Sequence, residues 1–293
     1  MLFKPCNLCD GIRDSLDVRF TKACDNCCAF CIEREGLESL GSTNVDRMIQ
    51  ATIDSGIREV LILGGEPFLQ PQKLLEYVKG IRSSVDRIYI TTSLPVTFLS
   101  HRMEISEIIQ LIDGLNCSIQ NTYWRANNEV LHAKDRHNRI HILRNLNFTY
   151  GDKIRTCLNL IKGEVDDKKK LINALRFLIG AGSKIIKINE MQYQPDLYVS
   201  FEEIMDKALP SPYAYGCMTP VIIPGVNRNN EATILLKRSC FCVEPSRSAT
   251  AADVFKSVLR LFRKPRNKFR VLYEDGTITN QWKQQSCLPK LLD

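Results

Sequence analysis

Four cysteines within eight residues, Cys24-Asp25-Asn26-Cys27-Cys28-Ala29-Phe30-Cys31, form the segment of this 293-residue chain best equipped for chemistry. Cys24, Cys28 and Cys31 stand at the spacing C-x3-C-x2-C. Three thiolates on one short loop can hold three irons of a [4Fe–4S] cube and leave the fourth iron open to another ligand. The same region also supports a structural zinc site, because Cys6-x2-Cys9 and Cys24-x2-Cys27 together give C-x2-C-x14-C-x2-C. Cysteine spacing alone leaves the two readings close. A second group, Leu63-Gly64-Gly65-Glu66-Pro67-Phe68, combines two glycines that permit unusual dihedrals and close backbone approach, a carboxylate, and a proline that stiffens the exit.

The elements around these groups alternate. Apolar patterning predicts strands at 16–20, 59–63, 87–91, 115–119, 154–161 and 184–188, separated by helices at 45–55, 72–81, 105–112, 130–143 and 168–179. Strands joined through helices imply right-handed crossovers and a parallel sheet. Six units are too few for the complete eight-fold barrel, so the expectation is an α/β fold: a partial (β/α)6, TIM-like barrel with its ligands at the strand C-terminal ends. This context favours the cluster over zinc, since a zinc ribbon needs short antiparallel hairpins. Beyond about residue 195 the pattern changes. Ser200-Phe201-Glu202-Glu203 is a capping-box start, and 220–224 with 232–236 suggests a hairpin around a Gly- and Asn-rich turn. A helix is predicted at 250–263, and Asp275-Gly276 marks a tight turn between 270–273 and 277–279. The expected organisation is a core over 1–195 and a C-terminal α+β extension over 196–293, separate from the barrel units.

Composition excludes other classes. With 44% hydrophobic and 25% charged residues, the chain is neither collagen-like, disordered nor coiled-coil. No apolar window is long enough for a membrane span and no secretory signal is evident, so a cytoplasmic location is expected. Twelve cysteines in that setting favour metal or cluster ligation over disulfides. Cys117 and Cys157 lie in apolar strands and suit core thiols. The net charge of +7 draws on an acid-free run over 254–273, which carries Lys256, Arg260, Arg263, Lys264, Arg266, Lys268 and Arg270. A solvated face is the simpler account, and phosphate contact the alternative. His137 and His141, at i and i+4 of the predicted 130–143 helix, have metal-compatible spacing, but flanking Arg136, Asn138 and Arg139 argue for an exposed polar face.

The cysteine loop after a first strand, with GGEP closing the second, resembles the radical S-adenosylmethionine superfamily. The likeness continues along 16–192: Phe30 before the last cysteine, Thr92-Ser93 closing the third strand, Ser118-Ile119-Gln120 the fourth, Asn159-Leu160-Ile161 the fifth, and Ile188-Asn189-Glu190-Met191 the sixth. Gln120 departs from the Asp of relatives. The sixth-strand segment resembles the branch that includes the molybdopterin-precursor cyclase and the SPASM-twitch proteins. This resemblance implies Cys24, Cys28 and Cys31 as cluster ligands. It implies Phe30, Gly64, Gly65, Glu66, Pro67, Thr92, Ser93, Ser118, Gln120, Asn159 and Ile161 around S-adenosylmethionine, with the GGEP stretch at the methionine amino group. Reductive cleavage would give a 5′-deoxyadenosyl radical that abstracts hydrogen from a peptide, nucleotide or small metabolite, with a reductant such as flavodoxin or ferredoxin. No residue is expected to act as a general acid or base; Glu66 has a positioning role.

Cys217, Cys240, Cys242 and Cys287 resemble the ligands of a twitch-like auxiliary cluster, although the full SPASM signature is absent. Asp10-Gly11-Ile12-Arg13 faintly resembles the start of glycyl-radical activases, an alternative enzyme. A zinc- or cluster-stabilised nucleic-acid-binding protein, using Cys6, Cys9, Cys24 and Cys27 with the basic run, is the non-enzymatic alternative.

Overall fold

The computed structural model describes residues 15–31, 43–191, 195–206, 218–226, 232–237 and 270–279. Six strands lie where the apolar runs predict them: β1 (Ser15–Arg19), β2 (Glu59–Leu63), β3 (Arg87–Thr92), β4 (Gly114–Ser118), β5 (Ile154–Leu160) and β6 (Ile185–Glu190). They pair in sequence order, each parallel to the next. Helices α1 (Val45–Asp54), α2 (Pro71–Arg82), α4 (Arg102–Leu111), α6 (Arg139–Tyr150) and α7 (Lys168–Gly180) link them, with the short α3 (Thr97–Ser100) and α5 (Trp124–Val130) in the connections. Local chemistry fixes their starts. Asn44, Asn138 and Asp167 cap α1, α6 and α7 through their side chains, and Pro71 occupies the first turn of α2, where no amide hydrogen is needed.

The period-2 alternation sorts the strands into two faces. Leu16, Val18, Ile62, Ile88, Ile90, Leu158 and Ile188 point into the helix-covered core and are essentially sealed from solvent. Each such side chain contributes about 1.5–3 kcal/mol on burial. The opposite face carries Asp17 and Arg19, Asn116 and Ser118, and Asn159 and Asn189. It is a polar inner wall, unlike the packed interior of a closed barrel.

The sheet runs β10-β9-β1-β2-β3-β4-β5-β6-β8-β7 and does not close. The C-terminal strands β7 (Met218–Pro220), β8 (Thr233–Lys237), β9 (Arg270–Leu272) and β10 (Ile278–Thr279) supply both ends. This corrects the expectation of an extension set apart from the barrel units, because β8 joins β6 and β9 joins β1, both in parallel. The hairpin is present, but its first strand ends at Pro220, where the expected one begins. Ser200 and Glu203 form the expected capping box on α8 (Phe201–Met205).

The predicted helix over 130–143 is two helices. At the end of α5, Leu131 bonds back to Asn127, His132 takes φ +47°, and Ala133 bonds to Asn128, a left-handed cap that stops the helix. The chain then crosses to Asn138 and restarts at Arg139. His137 therefore lies in the connection and not one turn from His141. Among the described residues no helix is long and apolar enough to cross a membrane. Cys6, Cys9, Asp10 to Arg13, Cys217, Cys240, Cys242, Cys287, the 250–263 helix and the basic run up to 269 lie outside the described residues.

Candidate active site

Parallel pairing places the C-terminal ends of β1 to β6 on one side, so the loops after β1, β2 and β3 meet there. Gly64 and Gly65 take φ +83° and +54°, and both lie against the loop leaving β1. A Cβ on Gly64 would overlap the Arg19 side chain, and one on Gly65 would overlap the carbonyl oxygens of Thr21 and Ala23. The two glycines thus serve approach of the chain to itself. Glu66 N donates to Ala23 O at 2.7 Å and completes the splice.

The Glu66 carboxylate is buried, and the protein's own donors surround it. Oε1 accepts from Thr92 Oγ1 at 2.8 Å and Phe68 N at 3.2 Å; Oε2 accepts from Ser93 N at 2.6 Å and Ser93 Oγ at 2.7 Å. Burial raises its pKa, opposed by the Ser93, Thr92 and Phe68 hydrogen bonds. A carboxylate with its lone pairs so occupied is a strut between β2 and β3. Buried Pro67 opens the short turn that Glu66 caps.

The cysteine loop attaches to this strut. Asn26 Nδ2 donates to Ser93 Oγ at 2.7 Å, the same hydroxyl that bonds Glu66. Beneath it lies Arg139, completely buried. Its guanidinium donates to Ser93 O at 3.0 Å, to Asn128 Oδ1, to Asn26 Oδ1 at 3.4 Å and to Asp135 Oδ1. It also lies 3.6 Å from Asp25 Oδ2. Asp135 contacts His137 Nδ1 at 3.1 Å, and His137 Nε2 meets Leu94 O at 2.7 Å. Burial, with Glu66 and Asp135 nearby, pushes the Asp25 carboxyl up to about 7. Asp135 goes the other way: its partial burial is outweighed by hydrogen bonds and charge from His137 and Arg139, which hold it well below the usual carboxylate range. This buried ionic group corrects the expectation of an exposed polar face around Arg139. The pair Asp135 and Arg139, four apart, was its only signal in the sequence, and the broken helix obscured it.

Cys24, Cys28 and Cys31 are free thiols at intermediate depth, and Cys27 is exposed. Asn26 N donates to Cys24 Sγ at 3.4 Å, and Cys28 Sγ donates to Leu131 O at 3.3 Å. Burial pushes the Cys24 thiol up to about 12 and that of Cys28 higher still. Metal ligation must therefore displace protons from both. Among the described residues, no three His, Cys, Asp or Glu side chains converge tightly enough for one metal ion. A cube asks for something else: each thiolate takes its own iron. Three reduced thiols on one loop fit that demand.

The remaining residues line the same end. Thr92 also accepts from Leu94 N at 2.9 Å. Gln120, the departure from Asp, is buried and ties the end of β4 to β5: its N donates to Asn127 Oδ1 at 2.7 Å and its Oε1 accepts from Asn159 N at 3.0 Å. Asn159 Oδ1 accepts from Asn189 Nδ2 at 3.0 Å. Phe30 and Ser118 are half-buried, and Ile161 is buried. At the β1 edge, Arg19 forms a buried two-point pair with Glu274 at 2.9 and 3.1 Å and stacks 4.2 Å from the Tyr273 ring centroid. Sequence gave no hint of this partner, 255 positions away.

Comparison with known proteins agrees with this geometry. Residues 10–139 match the family described as a 4Fe-4S single cluster domain. Streptococcus suis SuiB bound to S-adenosylmethionine has a similar fold, with TM-score 0.60 at 14% identity, covering 95% of this chain and 64% of that one. SuiB bound to its precursor peptide SuiA gives TM-score 0.58 at 17% identity, covering 95% and 63%. The chain thus spans under two thirds of the length of these solved proteins. No curated protein matches by sequence. The fold is that of the radical S-adenosylmethionine enzymes. The family match spans residues 10–139, under half of the chain, and the likeness to SuiB is one of fold.

Proposed function

We propose that this protein is a radical S-adenosylmethionine enzyme in which Cys24, Cys28 and Cys31 hold a [4Fe–4S] cluster. One observation carries the reading: Asn26, Ser93 and Glu66 form a continuous hydrogen-bonded chain that joins the cysteine loop to the Gly-Gly-Glu turn at the mouth of the open barrel. When bound, the cluster and S-adenosylmethionine supply an electron and a 5′-deoxyadenosyl radical, which takes a hydrogen atom from a substrate C–H. The chain's own residues position and enclose. Gly64 and Gly65 hold the turn against residues 19–23, and Glu66 and Ser93 keep that turn at a fixed distance from the cysteine loop. Gln120 and Asn159 align the ends of β4 and β5, where the nucleoside of the cofactor would rest. An external one-electron donor such as flavodoxin or ferredoxin completes the system.

A peptide is the first substrate class to test, because SuiB has been solved with a precursor peptide on a similar fold. Fold alone does not choose a substrate. A nucleotide or small metabolite therefore belongs in the same screen. The decisive measurement is 5′-deoxyadenosine formation by anaerobically reconstituted, reduced protein. Wild type should release it and a Cys24→Ala/Cys28→Ala/Cys31→Ala variant should not. Equal amounts from both, or none from wild type with a full iron and sulfide complement, would overturn the reading.

A further inference from the structure

The connection from α5 to α6 lies directly on the cysteine loop. Leu131 O accepts from Cys27 N at 3.2 Å and from Cys28 Sγ at 3.3 Å, and Lys134 N donates to Asp25 O at 2.9 Å. Cys27, the cysteine outside the C-x3-C-x2-C set, is exposed. The loop assigned to the cluster therefore reaches the protein surface here, and the connection borders the spot where it does.

Charge along that border is positive. The Lys134 and Arg136 side chains are exposed, and among the described residues no acid pairs with either. The acids beside them are already engaged: Asp135 with Arg139 and His137, and Asp25 with Arg139. Glu129 is the one exposed acid over 125–138, against exposed Arg125, Lys134 and Arg136. Apolar surface adjoins these cations. Val96 N donates to Asp135 Oδ2 at 3.1 Å, which seats the start of α3 next to the chain at Asp135. Val96, Leu99 and Met103 are 45%, 43% and 85% exposed, and Leu99 and Met103 line one open groove. Of the acids on that groove, Glu107 pairs with Lys79 at 2.6 Å and Glu104 accepts from Gln72 at 3.4 Å. Unpaired cations beside exposed aliphatic side chains suit a protein partner of opposite charge, and the aliphatic part favours a protein over a nucleic acid.

We propose that Cys27, Lys134, Arg136, Val96, Leu99 and Met103 mark the docking face for an acidic one-electron carrier protein of the flavodoxin class. The proposal rests on the cluster assigned above. One electron leaves the reduced carrier and enters the cluster, and no covalent bond forms or breaks at this face. Electron-transfer encounters have small interfaces, so charge steering, more than area, sets their rate.

Full-length, cluster-reconstituted protein is titrated anaerobically with oxidised flavodoxin by calorimetry, and cluster reduction by reduced flavodoxin is followed as loss of cluster absorbance. Binding should be saturable and weaken with added salt. Lys134→Gln/Arg136→Gln should weaken it about tenfold and slow reduction by flavodoxin to match, while reduction by dithionite stays within about twofold. Met103→Glu should weaken binding as well, because it sets an acid against the carrier's own. Lys168→Gln/Lys169→Gln, which removes the same charge at the start of α7, should change neither. Absent flavodoxin binding overturns the proposal, as does unchanged binding in the Lys134→Gln/Arg136→Gln variant or in Met103→Glu. Equal weakening by the α7 pair means net charge alone and overturns it. Equal slowing of dithionite overturns it too, since the residues would then act on the cluster itself. Tighter binding of a DNA duplex than of flavodoxin would reassign the face to nucleic acid. Wild type whose cluster dithionite reduces, yet which forms no 5′-deoxyadenosine, overturns the activity and leaves the docking face standing on its binding result.

Discussion

Two buried carboxylates flank the cysteine loop, and the protein handles them by different physics. Glu66 is held by neutral groups: two hydroxyls and two backbone amides converge on it, and among the described residues no cation touches it. Asp25 is held by charge. It shares Arg139 with Asp135, and Asp135 leans in turn on His137. Neutral wiring divides one load over several modest bonds, each replaceable at small cost. Charged wiring concentrates it, because removing the one cation strands two acids in a low-dielectric interior. The first region tolerates damage locally; the second fails as a unit.

The sharpest way to break this contrast is Arg139→Met. It keeps the length of the side chain and removes the charge, leaving Asp25 without its Arg139 contact and Asp135 with His137 alone. The expected loss is about 3–5 kcal/mol in urea unfolding of cluster-free protein. Adding Asp25→Asn and Asp135→Asn should recover much of it. A loss near zero for Arg139→Met would mean the ionic group is not a structural unit.

A titration sharpens the comparison next. The Asp25 carboxyl sits at about 7 in the fold, above its ordinary 3.8. Between those values the unfolded chain releases this proton while the folded protein keeps it. Stability therefore falls as pH rises from about 4 to about 7, with a slope from this group of at most about 1.4 kcal/mol per pH unit. Asp135 has the opposite sign, and its contribution is lost only as pH drops below the ordinary carboxylate range. In cluster-free protein, Asp25→Asn should gain on wild type steadily across that window. Parallel stability curves for the two proteins would show that Asp25 carries no raised pKa.

The glycine splice tests the neutral region's backbone. Gly65→Ala meets both a positive φ and the carbonyl oxygens of residues 21 and 23, so about 2–3 kcal/mol should be lost. Cofactor binding should weaken with it, since the turn must move. Wild-type stability in this variant would mean the chain can relax there without cost.

The same contrast explains what could be foreseen. Six strand positions and the GGEP turn were legible because they rest on local signals: apolar alternation, paired glycines, a strand end. Cys24, Cys28 and Cys31 were legible through spacing. Arg139 was not. Its partners come from the β1 loop, the β3 end and the connection after α5, and its neighbours Arg136 and Asn138 look like solvent-facing residues. The reversal at His132, a non-glycine in the left-handed region, is invisible to periodicity, so one long helix was expected. The pairings of β8 with β6 and β9 with β1 were hidden for a related reason. Each strand was recognisable, but nothing local says which edge a late strand will join.

Thr92→Val is the smallest of these perturbations and separates the two kinds of wiring most cleanly. Valine has nearly the same shape as threonine, so no cavity forms and the loss is chemical. The hydroxyl serves twice, donating to Glu66 Oε1 at 2.8 Å and accepting from Leu94 N at 2.9 Å. Removing it leaves Oε1 with the Phe68 amide and Oε2 with both Ser93 groups, so the carboxylate stays satisfied while the Leu94 amide does not. The expected cost is about 1–2 kcal/mol. A double-mutant cycle with Glu66→Gln should show coupling, because the two side chains touch. The same cycle between Thr92→Val and Arg139→Met should be nearly additive if the neutral and ionic groups are separate units. Ser93 belongs to both groups, its side chain bonding Glu66 and its carbonyl accepting from Arg139, and Asn26 and Leu94 also bond to both. Strong coupling in that second cycle would mean these residues transmit strain between them, making cysteine loop and Gly-Gly-Glu turn a single rigid body.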